Sequence, residues 1–186
     1  MLLLVGLGNP TPGSQNNRHN VGFKVIDAIN EKFSLSKQKP KFKGLLTTGN
    51  IGDKKVYAIK PLTFMNNSGI CIRELLEYFK IEAENVFVFH DDLDIDFGKI
   101  KTKFGGSSAG HNGIESIDKF IGKDYSRVRI GIGKPKTEIA VTDHVLKDFD
   151  EDEKEELKKI TDSIIKSLSI LLDKKLDLFS STVNDK

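Results

Sequence analysis

The chain is predicted to fold as an α/β protein, a single three-layer domain in which a mixed β-sheet is flanked by helices. Three observations carry that expectation. Short apolar runs alternate with segments of helical period along the sequence. No internal repeat or linker-like stretch interrupts the alternation, so residues 1–186 read as one domain. With 38% hydrophobic and 30% charged side chains, 186 residues are ordinary for a globular protein and long enough to bury a sizeable core.

The elements follow in order. Leu2–Leu7 is a short apolar run stopped by Gly8-Asn9-Pro10 and reads as a buried strand. Pro10, Pro12 and Gly13 exclude regular structure from the turn behind it. Val21, Val25, Ile29 and Phe33 then share one helical face. Ser34–Lys43 is a polar, lysine-rich connection. Leu45–Ile51 and Lys54–Lys60 read as a hairpin turned at Gly52-Asp53. After Pro61 a second helix buries Ile72, Leu75, Leu76 and Phe79, and Val86–Phe89 has the length of a central strand. Lys99–Phe104 alternates lysine with Ile, Thr and Phe, the period of a half-buried strand. Gly105–Gly110 is Gly/Ser-rich and expected to be mobile. A third helix over His111–Ile121 carries Ile114, Ile117 and Ile121, and Arg127–Gly133 closes the sheet. Asp150–Glu153 fits a capping box ahead of one long helix, with Leu157, Ile160, Ile164, Leu168 and Leu171 as its stripe.

Composition narrows the function. Cys71 is the sole cysteine, so neither an intramolecular disulfide nor a cysteine zinc cluster can form. Leu2–Val5 is too short for a signal peptide, and no run approaches the ~18 apolar residues of a membrane span. A cytoplasmic protein is expected. Net charge is +2, but residues 99–136 carry +6, leaving −4 for the remainder. A basic segment of that kind suits either a solvated sheet face or a polyanionic partner.

Several motifs fail on inspection. Gly6-Leu7-Gly8-Asn9-Pro10-Thr11 lacks the third glycine of a dinucleotide loop, so no nucleotide cofactor is expected. Asp92, Asp94 and Asp96 begin like a calcium loop, but Phe97 and Lys103 occupy the positions of its glycine and its closing glutamate. A capped acidic turn is the better reading. No Gly-x-Ser-x-Gly elbow is present.

What remains is a histidine and a carboxylate at two strand ends. His19 follows the first strand in Arg18-His19-Asn20-Val21-Gly22, and Asp91 closes the run Phe89-His90-Asp91. Ligands of open α/β sheets bind outside the carboxyl ends of strands, so the two are expected to meet there. A histidine held by a carboxylate is a general base, and water is the remaining nucleophile. Asn9, Asn66 and Asn112 lie at strand-to-helix junctions, where their amides can hold a carbonyl or the attacking water. Asn20 and Asn67 are read as turn braces, and His144 as an edge or surface residue. A metallohydrolase built on His90, Asp91 and Asp92 stays open on spacing alone.

The ordered set resembles the bacterial-type peptidyl-tRNA hydrolases. The resemblance rests on Val5-Gly6-Leu7-Gly8-Asn9-Pro10, Arg18-His19-Asn20-Val21-Gly22, Pro61-Leu62-Thr63-Phe64-Met65-Asn66-Asn67-Ser68-Gly69, His90-Asp91-Asp92-Leu93-Asp94, Gly110-His111-Asn112-Gly113 and Arg127-Val128-Arg129-Ile130-Gly131-Ile132-Gly133. It implies a monomeric, metal-independent and cofactor-free esterase acting on peptidyl-tRNA, met at its acceptor stem, 3′ end and 5′-phosphate, without membrane or obligate protein partner. On that resemblance His19 is the catalytic base and Asp91 its partner. Asn66 and Asn112 position substrate and water, Asn9 lies near the peptide and terminal ribose, and Met65 lines the peptide site. Lys103 and Arg129 resemble a pair that grips the 5′-phosphate. The chain departs from the family pattern at Thr11, Ser14 and Asn17, where Gly, Tyr and Thr are usual. A binding-only relative is a second implication, since the fold also resembles chloroplast proteins that assist intron splicing.

Overall fold

A computed structural model describes residues 1–137 and 139–185; Glu138 and Lys186 lie outside the described residues. In chain order the elements are β1 (Leu2–Gly6), α1 (Val21–Lys32), β2 (Lys39–Lys41), β3 (Gly44–Ile51), β4 (Lys54–Pro61), α2 (Ser68–Phe79), β5 (Val86–Asp92), β6 (Ile100–Phe104), α3 (Asn112–Ile121), β7 (Ser126–Gly131), α4 (Val141–Val145), α5 (Glu151–Lys166), α6 (Leu168–Leu172) and α7 (Leu176–Asn184). The seven strands form one sheet in the order β2-β3-β4-β1-β5-β7-β6. β1 runs parallel to β4 and β5, and β5 parallel to β7, while β2, β3 and β6 pair antiparallel with their neighbours. The expected mixed sheet is present.

Strand alternation sends the apolar side chains to two cores. Leu2 and Leu4 of β1 join Val25 and Ile29 of α1, Phe87 and Phe89 of β5, and Ile160 and Ile164 of α5 on one face. Leu3, Val5 and Leu7 join Ile72 and Leu75 of α2 and Ile114 and Ile117 of α3 on the other. Helices therefore cover both faces, which is the three-layer arrangement. Close approach of backbones fixes α1 on the sheet. A Cβ on Gly6 would meet the Gly22 carbonyl oxygen at 2.3 Å, and one on Gly22 would meet the Phe89 carbonyl oxygen at 2.4 Å. Any larger residue at either position would push α1, and His19 ahead of it, away from the ends of β1 and β5.

Four expectations need correction. Pro12–Ser14 forms one 3-10 turn, because proline's fixed φ suits the first position of a helical turn. Lys39–Lys41 pairs with β3 as a short edge strand, where Pro40 costs no central ladder bond. The last helix is not continuous to Leu171. It stops at Lys166, where Ser167 leaves helical geometry (φ −102°, ψ 5°), and resumes as α6, which buries Leu168, Leu171 and Leu172. His144 is buried rather than at the surface, with Nε2 3.0 Å from the Gly133 carbonyl oxygen. The capping box holds: the Asp150 carboxylate accepts from the Glu153 backbone N–H at 2.8 Å and the Glu153 carboxylate accepts from the Asp150 N–H at 3.0 Å. Among the described residues, no helix is long and apolar enough to cross a membrane.

Candidate active site

Because β1, β4, β5 and β7 are parallel, their carboxyl ends open on one edge of the sheet, and the turns leaving them carry the candidate residues. Asn9 follows β1, Met65 and Asn66 follow β4, and Asp91 sits near the end of β5. His19 lies in a 3-10 turn (Arg18–Asn20) that leads into α1. Asn112 is the first residue of α3.

The structure brings His19 and Asp91 together. The Asp91 carboxylate is almost fully buried, and its Oδ2 lies 2.8 Å from His19 Nδ1. A second histidine, which the motif reading did not single out, completes the group: His111 Nε2 lies 2.8 Å from Asp91 Oδ1. His111 precedes α3, and its Nδ1 accepts from the backbone N–H groups of Gly113 (3.1 Å) and Ile114 (3.3 Å). The signal was legible as a residue directly before a helix start, although histidine is not one of the usual capping types.

These contacts assign the protons. His111 Nδ1 faces two donors, so it must accept, and its proton resides on Nε2, which donates to Asp91. The carboxylate is acceptor-only, so His19 Nδ1 donates to its other oxygen. His19 Nε2 is then left with a free lone pair at the cavity. Burial opposes ionisation of Asp91, but the adjoining His111 and His19, each directing an N–H at the carboxylate, hold its carboxyl well below the usual carboxylate range. The same assignment bears on metal binding. Ligand atoms of His19, Asp91 and His111 lie within 4.8 Å of one another. However, a protonated His111 Nε2 has no lone pair to give, and moving its proton to Nδ1 would break the helix cap, so the donor set suits hydrogen bonding better than a cation. The alternative trio of His90, Asp91 and Asp92 does not converge, because consecutive strand residues face opposite sides of the sheet.

The amides surround this group. Asn20 braces the turn after β1: its Oδ1 accepts from the Asn9 N–H and its Nδ2 donates to the Asn9 carbonyl, both at 2.9 Å. Asn9 Oδ1 accepts from the Met65 N–H at 2.8 Å, tying the β1 turn to the β4 turn. Phe64, just before it, holds φ 62° and ψ 157°, a conformation almost reserved for glycine and costing about 1–3 kcal/mol. That strained residue sets the turn that delivers Met65 and Asn66. Asn66 and Asn112 are exposed, and among the described residues neither side chain has a hydrogen-bond partner.

Two adjoining cavities meet at His19. One of about 560 Å³ is lined by Asn9, Met65, Asn66, Asn112, Val145 and Leu146, and also by Thr11 and Ser14. The other, about 580 Å³, runs past Asp91, His111 and Ala109 toward Lys134. Both fall in the size range of ligand sites. Met65 is buried and lines the first.

Lys103 and Arg129 lie elsewhere. Lys103 is opposite Arg127 and Lys101 opposite Arg129, which places Lys103 and Arg129 diagonally on one face, about 7–8 Å apart by sheet geometry. Arg129 Nε donates to Asp92 Oδ2 at 2.9 Å. Asp92 Oδ1 in turn accepts from the Asp94 N–H at 2.8 Å, the capped acidic turn expected in place of a calcium loop. Arg127 is consumed structurally, buried against Asp118 (2.8 Å) and the Ser107 carbonyl (2.7 Å).

Comparison with known proteins gives a consistent result. The sequence profile of a family described as peptidyl-tRNA hydrolase matches residues 3–186. The chain is 81% identical over 186 residues to the peptidyl-tRNA hydrolase of Pelagibacter ubique (strain HTCC1062), covering 100% of both chains. It is 42% identical over 175 residues to that of Bacillus subtilis (strain 168), covering 94% of this chain and 93% of the relative. Among solved structures, the crystal structure of peptidyl-tRNA hydrolase from Acinetobacter baumannii superposes with a TM-score of 0.92 at 33% identity, covering 100% of this chain and 95% of that one.

Proposed function

The chain belongs to the peptidyl-tRNA hydrolase family and hydrolyses the ester bond of peptidyl-tRNA, and we propose that it does so by general-base activation of water at His19. The observation that carries this reading is the chain His111–Asp91–His19, whose proton assignment leaves His19 Nε2 free to accept. Nε2 takes a proton from water as the oxygen attacks the ester carbonyl. The bond to the ribose oxygen then breaks, and the same proton passes from His19 to that oxygen as tRNA leaves. Asp91 holds the ring in the required tautomer and stabilises the imidazolium formed in between. The unpartnered amides of Asn66 and Asn112 stabilise the oxyanion and orient the water, an effect of about 3 kcal/mol in comparable sites. Asn9 and Met65 shape the contact with peptide and terminal ribose. Lys103 and Arg129 grip the 5′-phosphate beside the acceptor stem, in keeping with the local charge of +6 over residues 99–136. We take the enzyme to act in the cytoplasm as a monomer of one domain, without metal.

The test is release of N-blocked amino acid from N-acyl-aminoacyl-tRNA in the presence of EDTA. Wild type is expected to release it rapidly, and His19→Ala to lose several powers of ten in turnover while still binding tRNA. Loss of wild-type activity in EDTA would remove the metal-free mechanism. Equal losses of binding and turnover in His19→Ala would remove the base assignment.

A further inference from the structure

A third cavity, of about 460 Å³, opens on the far side of the Asn9–Thr11 turn from His19. Gln15, Asn16, Phe23, Lys24, Asp27 and Lys60 are among its lining residues, and it shares Asn9 and Thr11 with the cavity that holds Met65 and Asn66. The two cavities therefore meet at that turn, and nothing in the mechanism above uses this one.

Its chemistry is cationic and amide-rich. Lys60 is largely buried, paired with Asp27 at 2.5 Å, and lies 5.6 Å over the Phe23 ring. Lys24 is not neutralised in that way. Its ammonium donates to Asn16 Oδ1 at 3.0 Å, and among the described residues it has no carboxylate within ion-pair distance. Burial, and then the charge of Lys154, depress its pKa, while Asp27 and Asp148 partly offset them. A half-buried ammonium with spare donors is a receptor for an anionic group.

Sheet order says which half of the substrate reaches it. Lys103 and Arg129 lie on β6 and β7, on one side of the β1/β5 centre, whereas the cavity is lined by Leu45 of β3 and Lys60 of β4, on the other, and Lys24 reaches it from α1, which packs across β1, β5 and β4. If tRNA enters over β6 and β7 and its ester lies at His19, the strand continuing past His19 is the peptide. Lys24 is five residues beyond His19, roughly 8 Å along a helix axis, and an extended peptide advances about 3.3 Å per residue.

We propose that this cavity is a peptide subsite that selects an acidic side chain about two to four residues before the esterified one. The inference rests on the reading that the ester is cleaved at His19. It is tested with peptidyl-tRNAs carrying Glu or Lys at each of those positions, for wild type, Lys24→Gln and Lys24→Glu, every rate being taken relative to the same enzyme acting on N-acetyl-aminoacyl-tRNA. That short substrate does not reach the cavity, so its cleavage by wild type reports the main reading alone, and the ratio is insensitive to the fraction of a variant that folds. Wild type is expected to favour Glu over Lys about fivefold at one position at low salt. Lys24→Gln should bring the ratio to one, and Lys24→Glu should reverse it. Equal ratios in all three enzymes would overturn the proposal. So would a Lys24→Glu effect that slows N-acetyl-aminoacyl-tRNA and every peptide alike, because that pattern marks a contact with tRNA.

Discussion

Asp91 and Asp92 are neighbours on β5, yet the strand's alternation turns them to opposite faces, and the two regions they serve are built differently. Around Asp91, both carboxylate oxygens are engaged by histidines, and the side chains of Asp91, His111 and His19 are only 3%, 10% and 13% exposed. Around Asp92, Arg129 is held through one nitrogen and is 25% exposed, and Lys103 is exposed. Buried groups in fixed geometry act on a chemical step, because little reorganisation remains when charge develops. Solvated charges act on encounter and binding and are screened by salt. The comparison therefore divides kcat from KM along one strand.

Asp91→Asn should give the largest effect. An amide there presents a donor and an acceptor where both histidines need acceptors, so either His19 or His111 must change tautomer. A change at His19 puts its proton on Nε2 and removes the base. The expected loss is about three to four powers of ten in kcat, with little change in KM. Single-turnover rates on saturating substrate check it, and a loss confined to KM would break the proposed division between the two regions.

Lys103→Ala and Arg129→Ala should act in the opposite sense. Each is expected to raise KM, leave kcat nearly in place, and reduce the slope of log affinity against log salt by about 1. Filter binding of tRNA across a salt series measures that slope. Unchanged slopes would take Lys103 and Arg129 out of the RNA contact.

Much of this was legible in the sequence, and the exceptions have physical causes. Strand ends marked by Gly8-Asn9-Pro10 and by Asp91 point to the edge where His19 meets Asp91, because parallel strands bring their carboxyl ends together. The role of His111 is not legible in the sequence because its contacts are a backbone cap and a carboxylate twenty residues away, neither of which leaves a periodic trace. The burial of His144 and the break at Ser167 are tertiary in origin: one follows from a contact with the Gly133 carbonyl, the other from packing Leu168, Leu171 and Leu172. Lys103 and Arg129 rest on the resemblance, and strand register adds that Arg127, chemically identical to Arg129, is buried against Asp118.

The smallest effect sharpens the contrast on the same strand. His90 shares a face with Asp92, donates through Nδ1 to the Asp91 carbonyl at 2.8 Å, and leaves Nε2 buried without a partner among the described residues. Burial above all lowers its pKa from 6.5 to about 3, with the adjoining His111 acting in the same direction. A value lower in the folded than in the unfolded chain means that His90 favours folding only while neutral. Its contribution is fully present above about pH 6.5 and is lost as pH falls toward about 3. His90→Asn removes that titration. Between pH 7 and pH 5, above the range in which Asp91 protonates in either state, the wild-type unfolding free energy should fall more steeply than that of the variant, by at most ~1.4 kcal/mol per pH unit. Urea unfolding at several pH values measures both slopes. Parallel slopes would mean that His90 is not held neutral by its surroundings, and that this stretch of β5 tolerates charge on both faces.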